Sequence, residues 1–239
     1  MPTAIFTGYV WLRVSRRYLA PSAQRQEEKK RVKLELWFEF ASTYSYLTVS
    51  RVEPLLAETE VDLVWRPFLL GPIFRDRGMN SSPFVLDPIK GRYMWRDMER
   101  RCEKYDLPFI RPDVFPMNGL KAARIMTAAL EQTWCGCFAR SVFSAQFASG
   151  ADISDEEVLR NVLQKCDVAP EPWLERAEHN EIKDALRAAT NRARSLGVFG
   201  APCMVVGDEL FWGDDRLEDA IAFAREARSQ ERQNAAASP

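Results

Sequence analysis

Histidine is almost absent from this 239-residue chain, which contains a single copy, His179. A Ser-His-Asp hydrolase needs a histidine beside its nucleophile, and imidazole is a common ligand of zinc, copper and iron. His179 lies in the polar stretch RAEHNEIK, which is typical of a solvated residue near a helix end. The scarcity of histidine therefore argues against triad hydrolysis and histidine-rich metal sites, and we expect no bound metal.

Cysteine is also scarce, and no two copies have the spacing Cys-x-x-Cys. An odd, scattered set does not have the pattern of a disulfide framework, so we expect a reducing, cytoplasmic location. We interpret the close pair Cys135 and Cys137 as buried helix residues, because no ligand cluster accompanies it. The five cysteines are Cys102, Cys135, Cys137, Cys166 and Cys203.

Neither a strong net charge nor a long apolar run is present. The chain has 33 basic and 34 acidic residues, so no overall field attracts nucleic acid or a membrane surface. No stretch approaches the roughly 20 apolar residues that a membrane-spanning helix needs. With 46% hydrophobic and 28% charged residues, the composition is typical of a globular protein. We therefore expect neither a nucleic-acid partner nor membrane association.

The two ends differ in composition from the rest. The first 26 residues contain arginines and aromatic residues but no acidic residue. A basic, acid-free start is one pattern of a transit peptide, but we favour a disordered extension over residues 1–30 or an upstream start site. Residues 230–239 are expected to form a flexible tail.

A βαβ unit is predicted near the start of the ordered pattern. The run LELWFEF, from Leu34 to Phe40, alternates apolar side chains as a strand does. A helical pattern follows from Ser45, and VDLVW, from Val61 to Trp65, predicts a second strand. A strand, a helix and a strand in about thirty residues favour two parallel strands joined by a crossover helix.

Only helical spacing follows in residues 70–194, with a capping box predicted at Ser154–Glu157. PCMVVGDELFW then predicts a hairpin around Gly207, and Asp215 with Glu218 predicts the start of a final helix. This order is that of an α/β thioredoxin-like fold with an all-helical domain inserted after the first βαβ unit. The expected domains are residues 31–69 with 195–229 for the thioredoxin-like part and residues 70–194 for the insertion.

Two serines, Ser42 and Ser45, lie where the first strand gives way to the first helix, in FEFASTYSY. Serine favours helix N-termini because its hydroxyl accepts a free backbone N–H, so a cap alone explains the pair. The same helix start favours a bound anion, and in thioredoxin-like folds that anion is a cysteine thiolate. A hydroxyl at this position indicates a bound thiol cofactor whose sulfur the protein does not itself supply.

Three further stretches are candidates for binding. GVFGAP, from Gly197 to Pro202, suggests a special backbone geometry with a possible cis X-Pro bond, although a simple strand-entry turn explains it equally well. Two adjacent acids in WGDDR, Asp214 and Asp215, exceed what capping needs and are candidates for receiving an ammonium group. In the polar run RGMNSSPFVLDPIKGRY, Lys90 is either a carboxylate-binding point charge or a solvated lysine.

The stretches FEFASTYSYL, WRPFLLGPIF, KGRYMWRDMER, LPF and GVFGAPCMVVGDELFWGDDRL together resemble the 2-hydroxychromene-2-carboxylate isomerase family. Its relatives are the kappa-class glutathione transferases, within the DsbA-like branch of the thioredoxin fold. The resemblance runs from about Lys33 to Arg228. The sequence differs from many members in having Glu39 for an aspartate and Thr43 for a proline.

The resemblance implies a reduced-glutathione cofactor, a small aromatic acid as substrate and a homodimer. Ser42 would be the catalytic residue that activates the thiolate, and Ala201 before Pro202 would pair with the cofactor backbone. The remaining implied cofactor contacts are Asn80, Lys90, Asp214 and Asp215, and the implied substrate contacts are Phe74, Arg75 and Phe115.

Three alternatives to an isomerase remain open at this point. A conjugating glutathione transferase would use the same site with electrophiles that do not release the thiol. A thiol-disulfide oxidoreductase would need Cys-x-x-Cys, against which Ser42-Thr43-Tyr44-Ser45 argues. A non-catalytic glutathione binder would bind without turnover.

Overall fold

The computed structural model describes residues 31 to 237. The predictions of a disordered extension, a transit peptide or an upstream start concern residues 1–30 and lie outside the described residues. Between residues 31 and 237, no helix has the length and apolar character that a membrane crossing requires.

A four-stranded mixed sheet forms the centre of the fold, in the order β2-β1-β3-β4. Strand β1 pairs parallel with β2 and antiparallel with β3, and β3 pairs antiparallel with β4. The predicted βαβ unit and the predicted hairpin are therefore both present. The strands are β1 (Val32–Phe38), β2 (Val61–Pro67), β3 (Cys203–Val206) and β4 (Glu209–Trp212).

An apolar core covers each face of the sheet. Leu34, Leu36 and Phe38 belong to the larger apolar core on one face. Trp37 points to the other face, where it packs edge-on against Phe68 and is fully buried. Because successive side chains of a strand alternate between faces, a strand with apolar residues on both sides indicates a sheet covered on both sides.

Helices occupy the whole interval between β2 and β3, as predicted for residues 70–194. The first and last of them, α2 and α9, contribute Leu70, Ile73 and Ala193 to the core against Trp37. The inserted segment therefore also closes one face of the sheet. The helices are α1 (Thr43–Leu56), α2 (Leu70–Asp76), α3 (Pro83–Leu86), α4 (Pro88–Lys104), α5 (Leu120–Ala128), α6 (Cys135–Phe147), α7 (Glu156–Lys165), α8 (Glu171–Arg176), α9 (Asn180–Ser195) and α10 (Leu217–Ala237).

Two predicted helix starts differ from the structure. Asp155, not Ser154, caps α7, because its carboxylate accepts the N–H of Glu157 while the Ser154 hydroxyl donates to Asp152. A single 3-10 turn, Asp214–Arg216, precedes α10, so Asp215 does not hold the predicted cap position. Helix α10 continues through Ala237, and the flexible tail expected from residue 230 stays a prediction.

The cysteine prediction is also wrong in one respect. Cys137 in α6 and Cys166 after α7 form a disulfide, although the two residues are 29 positions apart in sequence. Spacing alone gives no sign of this pair, because α6 and α7 must first pack against each other to bring the sulfurs together. The pairing removes the cysteine-based argument for a cytoplasmic location. Cys102, Cys135 and Cys203 are free and buried.

Candidate active site

Ser42 caps α1 and also links the helix to the loop before β3. Its backbone is extended (φ −84°, ψ 119°), and its Oγ accepts the N–H of Ser45 over 3.2 Å. The same hydroxyl donates to the carbonyl oxygen of Ala201 over 3.0 Å. The predicted cap and the predicted cofactor-binding loop therefore meet at one hydroxyl group.

Ser45 has a different environment from Ser42. It is fully buried in α1, and its Oγ has no hydrogen-bond partner among the described residues. Its side chain does not line the cavity described below. Of the two serines, only Ser42 is placed to contact a ligand.

The peptide bond between Ala201 and Pro202 is cis, as the GVFGAP motif suggested. The carbonyl oxygen of Pro202 accepts the N–H of Gly213 over 3.0 Å, which connects this loop to the WGDDR segment. A second cis bond, Phe115–Pro116, was not predicted.

A cavity of about 1080 Å³ opens at the start of α1. Its wall combines residues from α1, α2, α4 and the loops before β3 and after β4. All the predicted site residues line it except Pro202, which is buried behind Ala201: Ser42, Phe74, Arg75, Asn80, Lys90, Phe115, Ala201, Asp214 and Asp215. A cavity of this size, with few polar groups on an apolar wall, is typical of a small-molecule site.

The two acids of WGDDR have different roles. Asp214 is 1% exposed, and its carboxylate accepts from Thr48 (3.1 Å) and from Arg101 (3.0 Å), with Arg51 at 3.7 Å. Asp215 is exposed, and within residues 31–237 its one ion-pair partner is the neighbouring Arg216 at 3.3 Å. The carboxylate of Asp214 thus already has protein partners, whereas that of Asp215 is exposed, so this geometry favours Asp215 of the two predicted ammonium contacts.

Glu39 is a cavity residue that the sequence reasoning left out of the site. It follows β1 directly, its carbonyl oxygen accepts the N–H of Ser42 over 2.9 Å, and it lines the same cavity. Burial raises the pKa of its carboxyl group to about 7, against the smaller lowering effect of a hydrogen bond from the Ala41 N–H. Its position three residues before Ser42, where many members of the resembling family have an aspartate, is the signal that the sequence contained.

A polar pair, Tyr44 of α1 and Asp97 of α4, also lines the cavity. The Tyr44 hydroxyl donates to Asp97 over 2.9 Å, and burial followed by this contact raises the pKa of Tyr44 well above its usual range. The ring of Tyr44 lies 6.2 Å from that of Phe84. Tyr44 therefore stays neutral at physiological pH and contributes an uncharged wall.

Two aromatic residues of the cavity wall are also absent from the predicted site. Phe199 and Trp212 have ring centroids 4.7 Å apart and both line the cavity, on either side of Gly200. Both residues belong to stretches that carry the family resemblance, GVFGAP and FWGDDR. Neither stretch alone indicates that the two rings contact each other.

Sulfur is absent from the described cavity wall except in methionine. None of the three free cysteines lines it. Cys203 is the nearest in sequence to the cis bond, but it is fully buried, donates to the carbonyl oxygen of Gly200 over 3.3 Å, and has its pKa raised by burial to about 12. Cys203 is therefore an inert thiol at neutral pH.

Comparison with known proteins agrees with the motif-based resemblance. A 2-hydroxychromene-2-carboxylate isomerase of Sphingobium xenophagum is 27% identical over 186 residues, covering 77% of this chain and 94% of the relative. A kappa 2 glutathione S-transferase of Caenorhabditis elegans is 23% identical over 211 residues, covering 81% and 92%. A solved 2-hydroxychromene-2-carboxylate isomerase superposes with a TM-score of 0.73 at 24% identity, covering 87% of this chain and 100% of the other.

The family model described as a DSBA-like thioredoxin domain matches residues 33–222, which is most of the chain. The predicted thioredoxin-like fold with its helical insertion is confirmed by this match and by the superposition. The chain belongs to the DSBA-like thioredoxin domain family.

Proposed function

We propose that this protein is a glutathione-dependent isomerase that acts on 2-hydroxychromene-2-carboxylate or a related aryl pyruvate. The observation that carries the proposal is the hydroxyl of Ser42 at the start of α1, on a cavity wall that no free cysteine of the described residues lines. Relatives named as isomerases support the reaction class, and relatives named as glutathione S-transferases support the cofactor.

The residues around the cavity fit glutathione. Helix geometry leaves the N–H groups of Thr43 and Tyr44 without partners inside α1, and together with the helix dipole they favour an anionic sulfur. The exposed carboxylate of Asp215 suits the ammonium of the γ-glutamyl end. Lys90 and Asn80, both exposed at the cavity, suit the polar groups at the other end of the tripeptide.

Glutathione, when bound, would supply a thiolate nucleophile for reversible addition to a conjugated double bond, the chemistry that allows geometric isomerisation. Ser42 would donate its hydroxyl hydrogen bond to the sulfur in place of Ala201, while its Oγ keeps the N–H of Ser45. The start of α1 would favour the ionised sulfur. Phe74, Arg75 and Phe115 hold the aromatic acid beside it, which converts an encounter of two molecules into a reaction within one complex.

The test compares two serine caps on the same cavity. Ser42→Ala removes the proposed donor, and we expect a fall in kcat of roughly a hundredfold, as for loss of one preorganised donor to a developing anion, and a raised thiol pKa of bound glutathione. Ser82→Ala removes the cap of α3, which accepts the N–H of Phe84 over 3.3 Å, and should leave both quantities unchanged. Ultraviolet thiolate absorbance and isomerase assays give the readouts. Wild-type kinetics and an unchanged thiolate signal in Ser42→Ala would overturn the assignment.

A conjugating glutathione transferase is the second candidate, because kappa-class transferases match as much of the chain as the isomerases do. Both reactions begin with the same thiolate, and they differ in whether the substrate releases it. Turnover of a generic aryl halide without isomerisation of an aryl pyruvate would favour the transferase.

We also propose that the protein is a homodimer. Helices α3 and α4 carry a group of large apolar side chains that are 44 to 71% exposed: Val85, Leu86, Ile89 and Tyr93. Exposed apolar groups of this kind often mark interaction surfaces. Sedimentation analysis should give twice the chain mass, and Ile89→Asp should halve it; a wild-type monomer would overturn the proposal.

A further inference from the structure

Phe199 and Trp212 form a fixed aromatic surface on the cavity wall. Their rings are tilted by 56° with centroids 4.7 Å apart, and Trp212 remains 52% exposed. A tryptophan side chain that is half exposed and still lies inside a cavity presents apolar area that folding has not covered. This surface is available to a ligand.

The indole of Trp212 is held in place by the backbone. Trp212 pairs with Cys203 across β3 and β4, and the following residue, Gly213, donates to Pro202. A Cβ atom added at Gly200 would lie 2.5 Å from Nε1 of Trp212. Only a glycine at position 200 therefore allows the indole to lie where it does.

The aromatic surface is next to the proposed reacting group. Gly200 precedes Ala201, whose carbonyl oxygen accepts the hydroxyl of Ser42 over 3.0 Å. A ring placed against Trp212 therefore lies within the length of a small molecule from the start of α1.

Two arginines on the same wall lack carboxylate partners. Arg77 lies with its guanidinium carbon 5.6 Å from the ring centroid of Phe199, and Arg75, two positions earlier in the chain, also lines the cavity. Within the described part of the chain, neither arginine forms an ion pair with an acidic side chain. Asp76, which lies between them in sequence, pairs with Arg194 over 2.7 Å. By contrast, Arg101, which lines the same cavity, is paired with Asp214. An arginine without an internal partner is suited to bind an anionic ligand.

We propose that Phe199 and Trp212 form a stacking subsite for the planar ring of the substrate and that Arg77 binds its carboxylate. This inference rests on the proposed function, because it concerns the second substrate of the same cavity. Glutathione has no aromatic ring, so a fixed aromatic surface with an adjacent free arginine fits an aromatic carboxylate better than it fits the tripeptide. The subsite adds Phe199, Trp212 and Arg77 to the predicted substrate contacts.

The experiment measures binding, so that it does not depend on turnover. The probes are 2-naphthoate and the uncharged 2-naphthamide, titrated calorimetrically into the full-length protein saturated with glutathione, with glutathione itself titrated separately. Trp212→Leu and Gly200→Ala, which displaces the indole, should each weaken naphthoate binding roughly tenfold while the dissociation constant of glutathione stays within about twofold. Arg77→Gln should reduce the preference for naphthoate over naphthamide roughly tenfold, and Arg77→Lys should restore part of it.

Phe223→Leu is the control, because this exposed aromatic residue packs on Phe211 and does not line the cavity. It should change neither affinity. The inference is overturned if the Trp212 and Gly200 variants lose glutathione affinity and keep naphthoate affinity, or if all variants bind naphthoate as the wild type does. If these shifts occur but the wild type isomerises no aryl pyruvate, the proposed function fails and the subsite stands. If the wild type isomerises an aryl pyruvate but Trp212→Leu leaves both naphthoate binding and KM unchanged, the subsite fails and the proposed function stands.

Discussion

The hydroxyl of Ser42 donates to the carbonyl oxygen of Ala201 over 3.0 Å, joining the start of α1 to a loop 159 positions later in the chain. A helix cap needs only the acceptor function of the hydroxyl, which Ser45 N–H uses. The hydroxyl proton is not needed for the cap, and in this structure it is donated to the carbonyl oxygen of Ala201, which lines the cavity. Ser42 therefore has a proton that it can give to a ligand without losing the cap.

The electrostatic effect of the α1 start can be measured with a thiol of the protein. In Ser42→Cys the new thiol would lie at the helix N-terminus, and we expect its pKa to fall at least one unit below the roughly 8.5 of free cysteine. The three natural free thiols will not interfere, because burial raises the pKa values of Cys102 and Cys203 to about 12 and raises that of Cys135 above its ordinary value. The measurement is the pH dependence of iodoacetamide alkylation.

Ser81→Cys is the matched control for this measurement. Ser81 lines the same cavity but belongs to no helix, so its cysteine should have a pKa near the ordinary value. Equal pKa values for the two new thiols would show that the helix start does not stabilise an anion.

Glu39 should make the stability of the protein depend on pH. The pKa of its carboxyl is about 7 in the folded state against 4.5 as the ordinary value, so the folded state binds more protons between these two pH values. Stability therefore falls as pH rises from about 4.5 to about 7 and stays low above it. Glu39→Gln removes the titration and should stabilise the protein above pH 7 by up to about 3 kcal/mol, the equivalent of the shift, and by much less at pH 4.5.

Urea unfolding of the wild type and of Glu39→Gln at pH 4.5 and pH 8 tests this. Glu35→Gln is the control, since Glu35 is on β1, the strand that ends just before Glu39, and is paired with Arg66. A Glu39→Gln variant with the same stability difference from the wild type at both pH values would mean that Glu39 titrates normally.

Local pattern was enough to predict the elements that carry Ser42 and Ala201. The alternation in Leu34–Phe40 and the Ser-x-x-Ser junction are properties of adjacent residues, so the strand, the helix start and the fold order follow from them. The motif GVFGAP likewise suggested a cis bond at Pro202, with a strand-entry turn as the equal alternative, because the cis form is readily accessible only before proline.

The missed features all depend on contacts between distant elements. Asp214 meets Arg51 from α1 and Arg101 from α4, and nothing in WGDDR indicates that two arginines will reach its first acid. Glu39 was passed over because its raised pKa arises from burial by packed elements, not from its sequence neighbours. The Cys137–Cys166 disulfide and the Phe199–Trp212 contact have the same origin.

Asp214 and Asp215 should respond in opposite ways to the same substitution. Asp214→Asn leaves Arg51 and Arg101 without their buried counter-charge and should destabilise the fold by about 3 kcal/mol. Asp215→Asn should change stability by less than about 0.5 kcal/mol, because the side chain is exposed. Only Asp215→Asn should weaken glutathione binding, because it removes the proposed ammonium contact, and its dissociation constant should rise several-fold. Calorimetry at a temperature where both variants are folded measures this. Equal stability losses would contradict the division of roles.

The disulfide between Cys137 and Cys166 should stabilise the fold by restricting the unfolded chain. Closing a loop of 29 residues corresponds to about 3 to 4 kcal/mol in the chain-entropy description. We therefore expect dithiothreitol to lower the midpoint of urea unfolding of the wild type. Cys137→Ser should unfold near the reduced wild type and should not respond to dithiothreitol. The unfolded, unreduced chain can be alkylated and analysed by mass spectrometry, and we expect three modified cysteines, with Cys137 and Cys166 unmodified. Five modified cysteines, together with no effect of dithiothreitol on unfolding, would show that the two thiols are close but not bonded.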